Sequence, residues 1–298
     1  MTLVDTGSAL RDACEATGLD GSGAVVLGAH ATTVYHLPRE NVVVRLSRAE
    51  SAPAEARRAV EVCRWLAGHD FPAPLPLAVV QPVPVEGHVA TFWQYYPQSS
   101  PELPTLRDLG ALLRRLHDLP APPVELPEYR PLDALRGTVS ASSCLSPSDK
   151  SFLLDEYERL LAAYAELDSP LGAGHIHGDA YFGNLLADGT RILLSDWDET
   201  SIGPRELDLA NTYHYCHRFG QPTSQLETFA DAYGYDLADW SGLATLRAMR
   251  AVHSLGAYIL RADHDDPAAG HELHYRIGTL RRGEIDAVWT SAVPLSTA

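Results

Sequence analysis

The chain has 298 residues, 45% of them hydrophobic, and its 39 acidic against 23 basic side chains give a formal net charge of −16. That length and apolar content suffice for two lobes or one large domain with an ordinary core, while the acidic balance makes nucleic acids and anionic membranes poor partners. No stretch approaches the ~20 consecutive apolar residues of a membrane span, and residues 1–7 lack the basic and apolar regions of a signal peptide, so a cytoplasmic protein is expected.

Cys14, Cys63, Cys144 and Cys216 lie far apart and form no C-x-x-C pair, which indicates neither a zinc site nor a redox dithiol. Lys150 is the only lysine. Nothing in the sequence sets the oligomeric state.

In chain order, residues 8–18 read as a short helix, and 24–27 and 34–37 as strands around the loop 28–33, which holds one glycine. Residues 41–47, Asn-Val-Val-Val-Arg-Leu-Ser, form a β-branched strand carrying the cation Arg45. Residues 53–67 form a helix, with Ala56, Ala59, Val60, Cys63, Leu66 and Ala67 as its apolar stripe. Three prolines force 71–76 into an extended connection, and 77–83 with 88–95 are expected as a hairpin around Glu86-Gly87. The Pro-, Ser- and Gln-rich stretch 97–104 reads as a linker. Thr105-x-x-Asp108 then opens a helix as a capping box, with Leu106, Leu109, Leu112, Leu113 and Leu116 inward. Residues 121–145 are loop with short helical pieces, and Ser146-Pro147 starts a helix reaching about residue 167. Beyond Pro204 a helix begins, followed by helices near 223–235, 239–262 and 271–289.

Between these helices lies the densest chemistry: His177-Gly178-Asp179-x4-Asn184, then Asp188-Gly189, then Asp196-Trp197-Asp198. Asp-Gly supplies the positive φ of a tight turn, so 185–186 and 191–195 pair as a short hairpin. The hairpin brings Asp179 and Asn184 close to Asp196. Two acids and an amide at one edge suit phosphoryl transfer, which needs positioning and charge neutralisation more than covalent chemistry. In the spacing H-x-D-x4-N the Asp takes the acceptor hydroxyl proton and the Asn binds metal. Mg²⁺ favours one or two carboxylates plus phosphate oxygens and water.

These motifs, with Gly203-Pro204-x3-Asp208-Leu209-Ala210, resemble the aminoglycoside phosphotransferase family, which shares the protein-kinase-like fold and includes kinases of choline, homoserine and antibiotics. The resemblance implies an α+β, bilobal fold. Its N-lobe, residues 1–96, is an antiparallel sheet plus one helix, and its C-lobe, residues 97–298, is mainly helical. It implies Mg²⁺-dependent transfer of the γ-phosphoryl group of ATP or GTP to a small-molecule hydroxyl. The acceptor is an antibiotic, conferring resistance, or a metabolite such as choline, homoserine or a sugar.

Carried over residue by residue, Asp179 is the catalytic base, Asn184 and Asp196 are metal ligands, and Asp198 is an outer metal contact. Arg45 takes the place of the family's phosphate-binding lysine, since Lys150 comes too late in the chain. Glu61 pairs with Arg45, with Glu55 as the competitor. The backbone of Gln94, Tyr95 and Tyr96 meets the purine, although aromatics there serve equally as packing. Asp208 braces the catalytic loop. The net charge leans toward a cationic acceptor, whose amino groups Asp263, Asp265 and Asp266 would attract if they are more than a solvated loop. A nucleotide-binding regulatory module is the alternative: Arg45 and the glycine-poor loop favour it, and the intact Asp179, Asn184 and Asp196 set disfavours it.

Overall fold

A computed structural model describes residues 6–29, 32–49, 52–98 and 103–290. His30 and Ala31, in the middle of the loop 28–33, lie outside the described residues.

The N-terminal half is built on α1 (Gly7–Thr17) and an antiparallel sheet of β1 (Val25–Ala29), β2 (Thr32–Leu37), β3 (Val42–Arg48), β4 (Val83–Val85) and β5 (His88–Gln94), in the order β1-β2-β3-β5-β4. Strand alternation sorts β3 cleanly. Val42, Val44 and Leu46 are buried in a small core with Ala9, Leu10, Ala13 and Cys14 of α1, while Val43 and Arg45 take the opposite face. Helix α2 (Ala52–Gly68) follows β3. Its residues Ala59, Val60, Cys63 and Leu66, with Phe71 and Trp93, belong to the larger core otherwise built by the C-terminal helices. Chain position 96 therefore does not divide the apolar cores.

The strand expected over 77–83 is not formed. Pro82 and Pro84 offer no N–H to a ladder, and β4 is confined to Val83–Val85. The Gln81 side chain substitutes for the missing backbone: its Nε2 donates to the Leu77 and Phe92 carbonyls at 2.9 and 3.2 Å, and its Oε1 accepts the Phe92 N–H at 2.7 Å.

The C-terminal half begins with α3 (Leu106–His117), whose Thr105–Asp108 capping box is present and whose five inward leucines are buried. Then come α4 (Leu135–Ala141), α5 (Pro147–Ala165), β6 (Ala173–Ile176), β7 (Leu185–Asp188), β8 (Arg191–Leu194), β9 (Ser201–Pro204), α6 (Glu206–Arg218), α7 (Ser224–Tyr233), α8 (Leu243–His253), α9 (Leu255–Asp263) and α10 (Pro267–Arg281). The β7–β8 hairpin forms as expected, but Asp188 pairs with Arg191, so the two loop residues are Gly189 and Thr190. The antiparallel pair β6–β9 has no counterpart in the sequence reading. The expected helix 239–262 is two helices that break at Ser254, whose hydroxyl bonds back to the Ala251 carbonyl at 2.8 Å. Among the described residues no helix is long and apolar enough to cross a membrane.

Candidate active site

The loop from His177 to Asn184 leaves β6 and enters β7, and its backbone is fixed from the helical side. Asp208, in the first turn of α6, is fully buried and accepts the N–H groups of His177 and Gly178 at 2.8 Å each. His117 of α3 donates to the same carboxylate through Nε2 at 3.1 Å, and its Nδ1 meets the Tyr233 hydroxyl at 2.8 Å. Burial pushes the Asp208 carboxyl up, but the hydrogen bonds and nearby imidazoles outweigh it and hold the group below the usual range. The bracing role expected of Asp208 thus has a direct geometric basis. Gly178 holds φ at 87°, and a Cβ there would lie 2.3 Å from the Glu199 carbonyl oxygen, so both conformation and space require glycine.

His177 is buried inside the loop. Its Nε2–H donates to the Ser195 carbonyl at 2.9 Å, which leaves Nδ1 to accept the Asp179 N–H at 3.3 Å. Asn184 donates its Nδ2 to the Asp179 carbonyl at 2.9 Å, and its own carbonyl accepts both the N–H and the hydroxyl of Ser195 at 2.8 Å. Asn184 is thereby held one residue from Asp196 across the hairpin. Among the described residues nothing donates to its side-chain oxygen.

Asp196 sits at φ 68°, in the left-handed region uncommon for side-chain-bearing residues, as the chain turns toward Trp197. Its Oδ1 accepts from Arg45 at 2.8 Å, and the same Arg45 nitrogen lies 2.7 Å from Asp198 Oδ2. Arg45 therefore reaches from β3 to both acids of the Asp-Trp-Asp motif. Burial works against its charge, and the carboxylates of Asp198 and Asp196 more than offset that, raising its pKa. Asp198 shifts upward, chiefly through burial. Its carboxylate turns to Arg45, and its backbone carbonyl accepts from Arg58 at 3.0 Å.

The expected Arg45–Glu61 pair is not formed. Glu61 is exposed, and the ion pairs of Arg45 go to Asp196 and Asp198. The reason is helical phase: at 3.6 residues per turn, Glu61 lies about 120° around the axis from Glu55. Glu55, the competitor, forms no ion pair with Arg45 either. Its carboxyl is pushed up by partial burial and by the Asp198 charge, while Arg58 opposes the shift.

At the expected base-binding segment, two of the three N–H groups are already used. That of Gln94 donates to the Leu75 carbonyl at 2.9 Å and that of Tyr95 to Asn41 at 3.1 Å. The Tyr96 N–H has no partner among the described residues. The Tyr95 ring stacks on His36 of β2 with centroids 3.7 Å apart.

Sequence reasoning missed Arg250. It lies on α8 and forms an ion pair with Asp179, 71 residues away. Of the acidic cluster Asp263, Asp265 and Asp266, two members are engaged within the fold. Asp263 accepts from the Ser142 hydroxyl and from the N–H groups of Ser143 and Cys144. Asp266 caps α10 and pairs with Arg261.

A sequence profile of the phosphotransferase enzyme family matches residues 24–252. No curated protein sequence matches the chain. Among solved structures, the chain is similar to amicoumacin kinase hAmiN in complex with AMP-PNP, Ca²⁺ and Ami, with TM-score 0.76 and 14% identity over 96% of each chain. It is also similar to a choline/ethanolamine kinase family protein from Mesorhizobium loti, with TM-score 0.66 and 19% identity over 92% of this chain and 94% of that one. A third is the aminoglycoside phosphotransferase APH(3'')-Id from Streptomyces rimosus, with TM-score 0.58 and 18% identity over 84% of this chain and 99% of the other. The bilobal protein-kinase-like fold is common to them.

Proposed function

The chain belongs to the phosphotransferase enzyme family, and we propose that it moves the γ-phosphoryl group of ATP or GTP to a hydroxyl group of a small molecule. The observation that carries this reading is the meeting of Asp179, Asn184, Asp196 and Arg45 at one loop edge, within a backbone frame fixed by Asp208.

Asp179 orients the acceptor hydroxyl and takes its proton on a carboxylate oxygen. Arg250 binds one of its oxygens, which leaves the other for the acceptor. Arg45 offers a planar guanidinium to the nucleotide phosphates. The Tyr96 N–H and the neighbouring carbonyls are the hydrogen-bonding edge for the base.

The donor set suits Mg²⁺. Asn184 Oδ1 is left open because Nδ2 is bound to the loop, and Asp196 keeps one oxygen clear of Arg45. The ion, when bound, would neutralise charge on the phosphate oxygens. Asp198, turned to Arg45, serves to hold that arginine and is at most an outer contact. The similar proteins include kinases of amicoumacin and of aminopropanol, and a phosphotransferase solved with streptomycin and ADP, which supports a small hydroxylated acceptor.

The test is incubation with Mg²⁺ and ATP or GTP against pooled aminoglycosides, other hydroxylated antibiotics, choline, homoserine and sugars, with mass spectrometry of the acceptors. Asp179→Asn is expected to lower turnover by about 10²- to 10⁴-fold with nucleotide binding retained. Asp196→Asn is expected to weaken Mg²⁺-dependent nucleotide binding itself. Equal loss of nucleotide binding in both variants would show that the roles are misassigned. An absence of nucleotide binding by the wild-type protein would overturn the reading.

A further inference from the structure

Asp179 is approached from two sides. Arg45 reaches Asp196 and Asp198 from the sheet, while Arg250 of α8 pairs with Asp179 and Asp208 of α6 holds its loop from the helical side. Two residues beyond Asp179 stands Tyr181, and it is fixed in backbone and ring. Its carbonyl accepts the Asn184 N–H at 3.0 Å. Its ring lies over Gly183, where an added Cβ would stand 2.4 and 2.7 Å from the ring carbons Cε2 and Cζ. Glycine at 183 is thus required for the room it gives this ring.

From Tyr181 the rings continue. The Tyr215 centroid is 6.2 Å from that of Tyr181, and the Phe219 centroid is 5.3 Å from that of Tyr215, with interplanar angles of 49° and 45°. Asp208, Tyr215 and Phe219 are seven and then four residues apart, so they lie within about 40° of one another around α6. The row therefore runs along the helix face that also braces the catalytic loop. Its far end is closed. Arg276, fully buried, stands 6.0 Å from the Phe219 ring and 4.6 Å from the Trp289 ring, and its Nη2 donates to the Thr290 carbonyl at 2.7 Å.

These rings are not sealed as core rings are. Tyr213 and Tyr233, in the same half of the chain, are buried, and their hydroxyls are bonded to Asp236 and, at 2.8 Å, to His117. Tyr181, Tyr215 and Phe219 are each only half-buried. Among the described residues the hydroxyls of Tyr181 and Tyr215 have no hydrogen-bond partner. Burial pushes the Tyr181 hydroxyl up and that of Tyr215 up to about 12, so both stay protonated and able to donate. Apolar ring area with a free polar tip suits a planar ring that carries polar substituents. Aromatic faces also attract quaternary ammonium groups, but the Arg250 guanidinium beside Asp179 opposes a second cation there.

Resting on the kinase reading above, we propose that the acceptor is an aromatic alcohol, whose hydroxyl meets Asp179 while its ring packs on Tyr181 and Tyr215. The acceptor oxygen bonds the γ-phosphorus as the bond from that phosphorus to the β–γ bridging oxygen breaks. The nucleoside diphosphate leaves with that electron pair, and Asp179 holds the hydroxyl proton. Tyr215 is then a specificity-determining residue, supplied by α6 and not by the motif loop. This replaces the leaning to a cationic acceptor drawn from net charge.

The test uses the full chain with Mg²⁺ and AMP-PNP, and ligand-observed NMR titration of 2-phenylethanol against 2-cyclohexylethanol, with choline as a third probe. The two alcohols differ only in the ring, and the saturated one is the more hydrophobic, so burial alone would favour it. 2-Phenylethanol is expected to bind about fivefold more tightly. Tyr215→Leu should erase that preference with AMP-PNP binding retained, and Tyr181→Leu should act in the same direction. Tyr215→Phe, which keeps the ring, should preserve it; a merely structural ring would weaken both alcohols alike. No binding of either alcohol, equal or reversed affinities, or a preference that survives Tyr215→Leu overturns the proposal. Choline binding that is lost in Tyr215→Leu overturns it in favour of a quaternary ammonium acceptor. AMP-PNP binding without the aromatic preference sinks the proposal and leaves the kinase reading intact. A Tyr215-dependent aromatic preference without AMP-PNP binding sinks that reading and leaves the ring site standing.

Discussion

Two loops meet at the candidate site, and they are held by opposite charges. Residues 177–184 are fixed from the helical side by an acid, Asp208, which binds two loop N–H groups and His117. Residues 195–199 are fixed from the sheet side by cations, Arg45 of β3 and Arg58 of α2. The first anchorage is dry, with the His117 and Asp208 side chains 3% and 0% exposed, whereas Arg45 and Asp196 are 20% and 44% exposed. A buried, fully bonded carboxylate is little affected by salt. A half-open ion pair is screened by salt and can be exchanged for another charge. The loop that would act on the hydroxyl is thus set by the fold, and the loop that would hold the metal nucleotide can adjust to its ligand.

The sharpest way to break this contrast is Asp208→Ala. It leaves two loop N–H groups and His117 without their acceptor in a dry site and is expected to cost about 3–5 kcal/mol, read by chemical denaturation, with turnover lost alongside. Gly178→Ala should come next, at about 1–3 kcal/mol, because the new Cβ meets the Glu199 carbonyl and the residue must keep φ at 87°. A stability unchanged by Gly178→Ala would show that the loop is not rigid.

Acid should loosen the catalytic side. His214, beside Arg250, and His175, donating to the Leu116 carbonyl, are both buried, and burial pushes both below the ordinary value of 6.5. The folded chain then binds fewer protons than the unfolded one below about pH 6.5. Their contribution is complete above that pH and is lost as pH falls. Denaturation midpoints from pH 7 to 5 should decline, and His214→Gln should flatten the decline; an equal slope in that variant would discount His214. The smallest effect is expected at Glu61→Ala, within about 0.5 kcal/mol and without change in nucleotide affinity. A large loss of nucleotide affinity there would restore the Arg45–Glu61 pair.

What was legible in the sequence follows the range of each interaction. Asp179, Asn184 and Asp196 could be brought together because a short hairpin links them, and turn chemistry is local. The α3 capping box was readable for the same reason. Glu61 was misplaced although the signal was present. Ala59, Val62 and Leu66 recur at steps of three and four as the buried stripe, and Glu61 lies off it. Arg250 could not be found, because its partner is 71 residues away and only the packing of α8 against α6 brings it to the loop. The strands β6 and β9 escaped because each is four residues long and rich in glycine or proline.

The allegiance of α2 bears on how the polypeptide could be divided. A piece ending at Gln98 would carry α1 and the sheet with their own small core, yet it would present Ala59, Val60, Cys63, Leu66 and Trp93 as a bare apolar face. The complementary piece would lack the same surface from its interior. Two such halves, expressed separately, should therefore recognise one another and reassemble, which makes this chain a candidate for split-protein reporters built on fragment complementation.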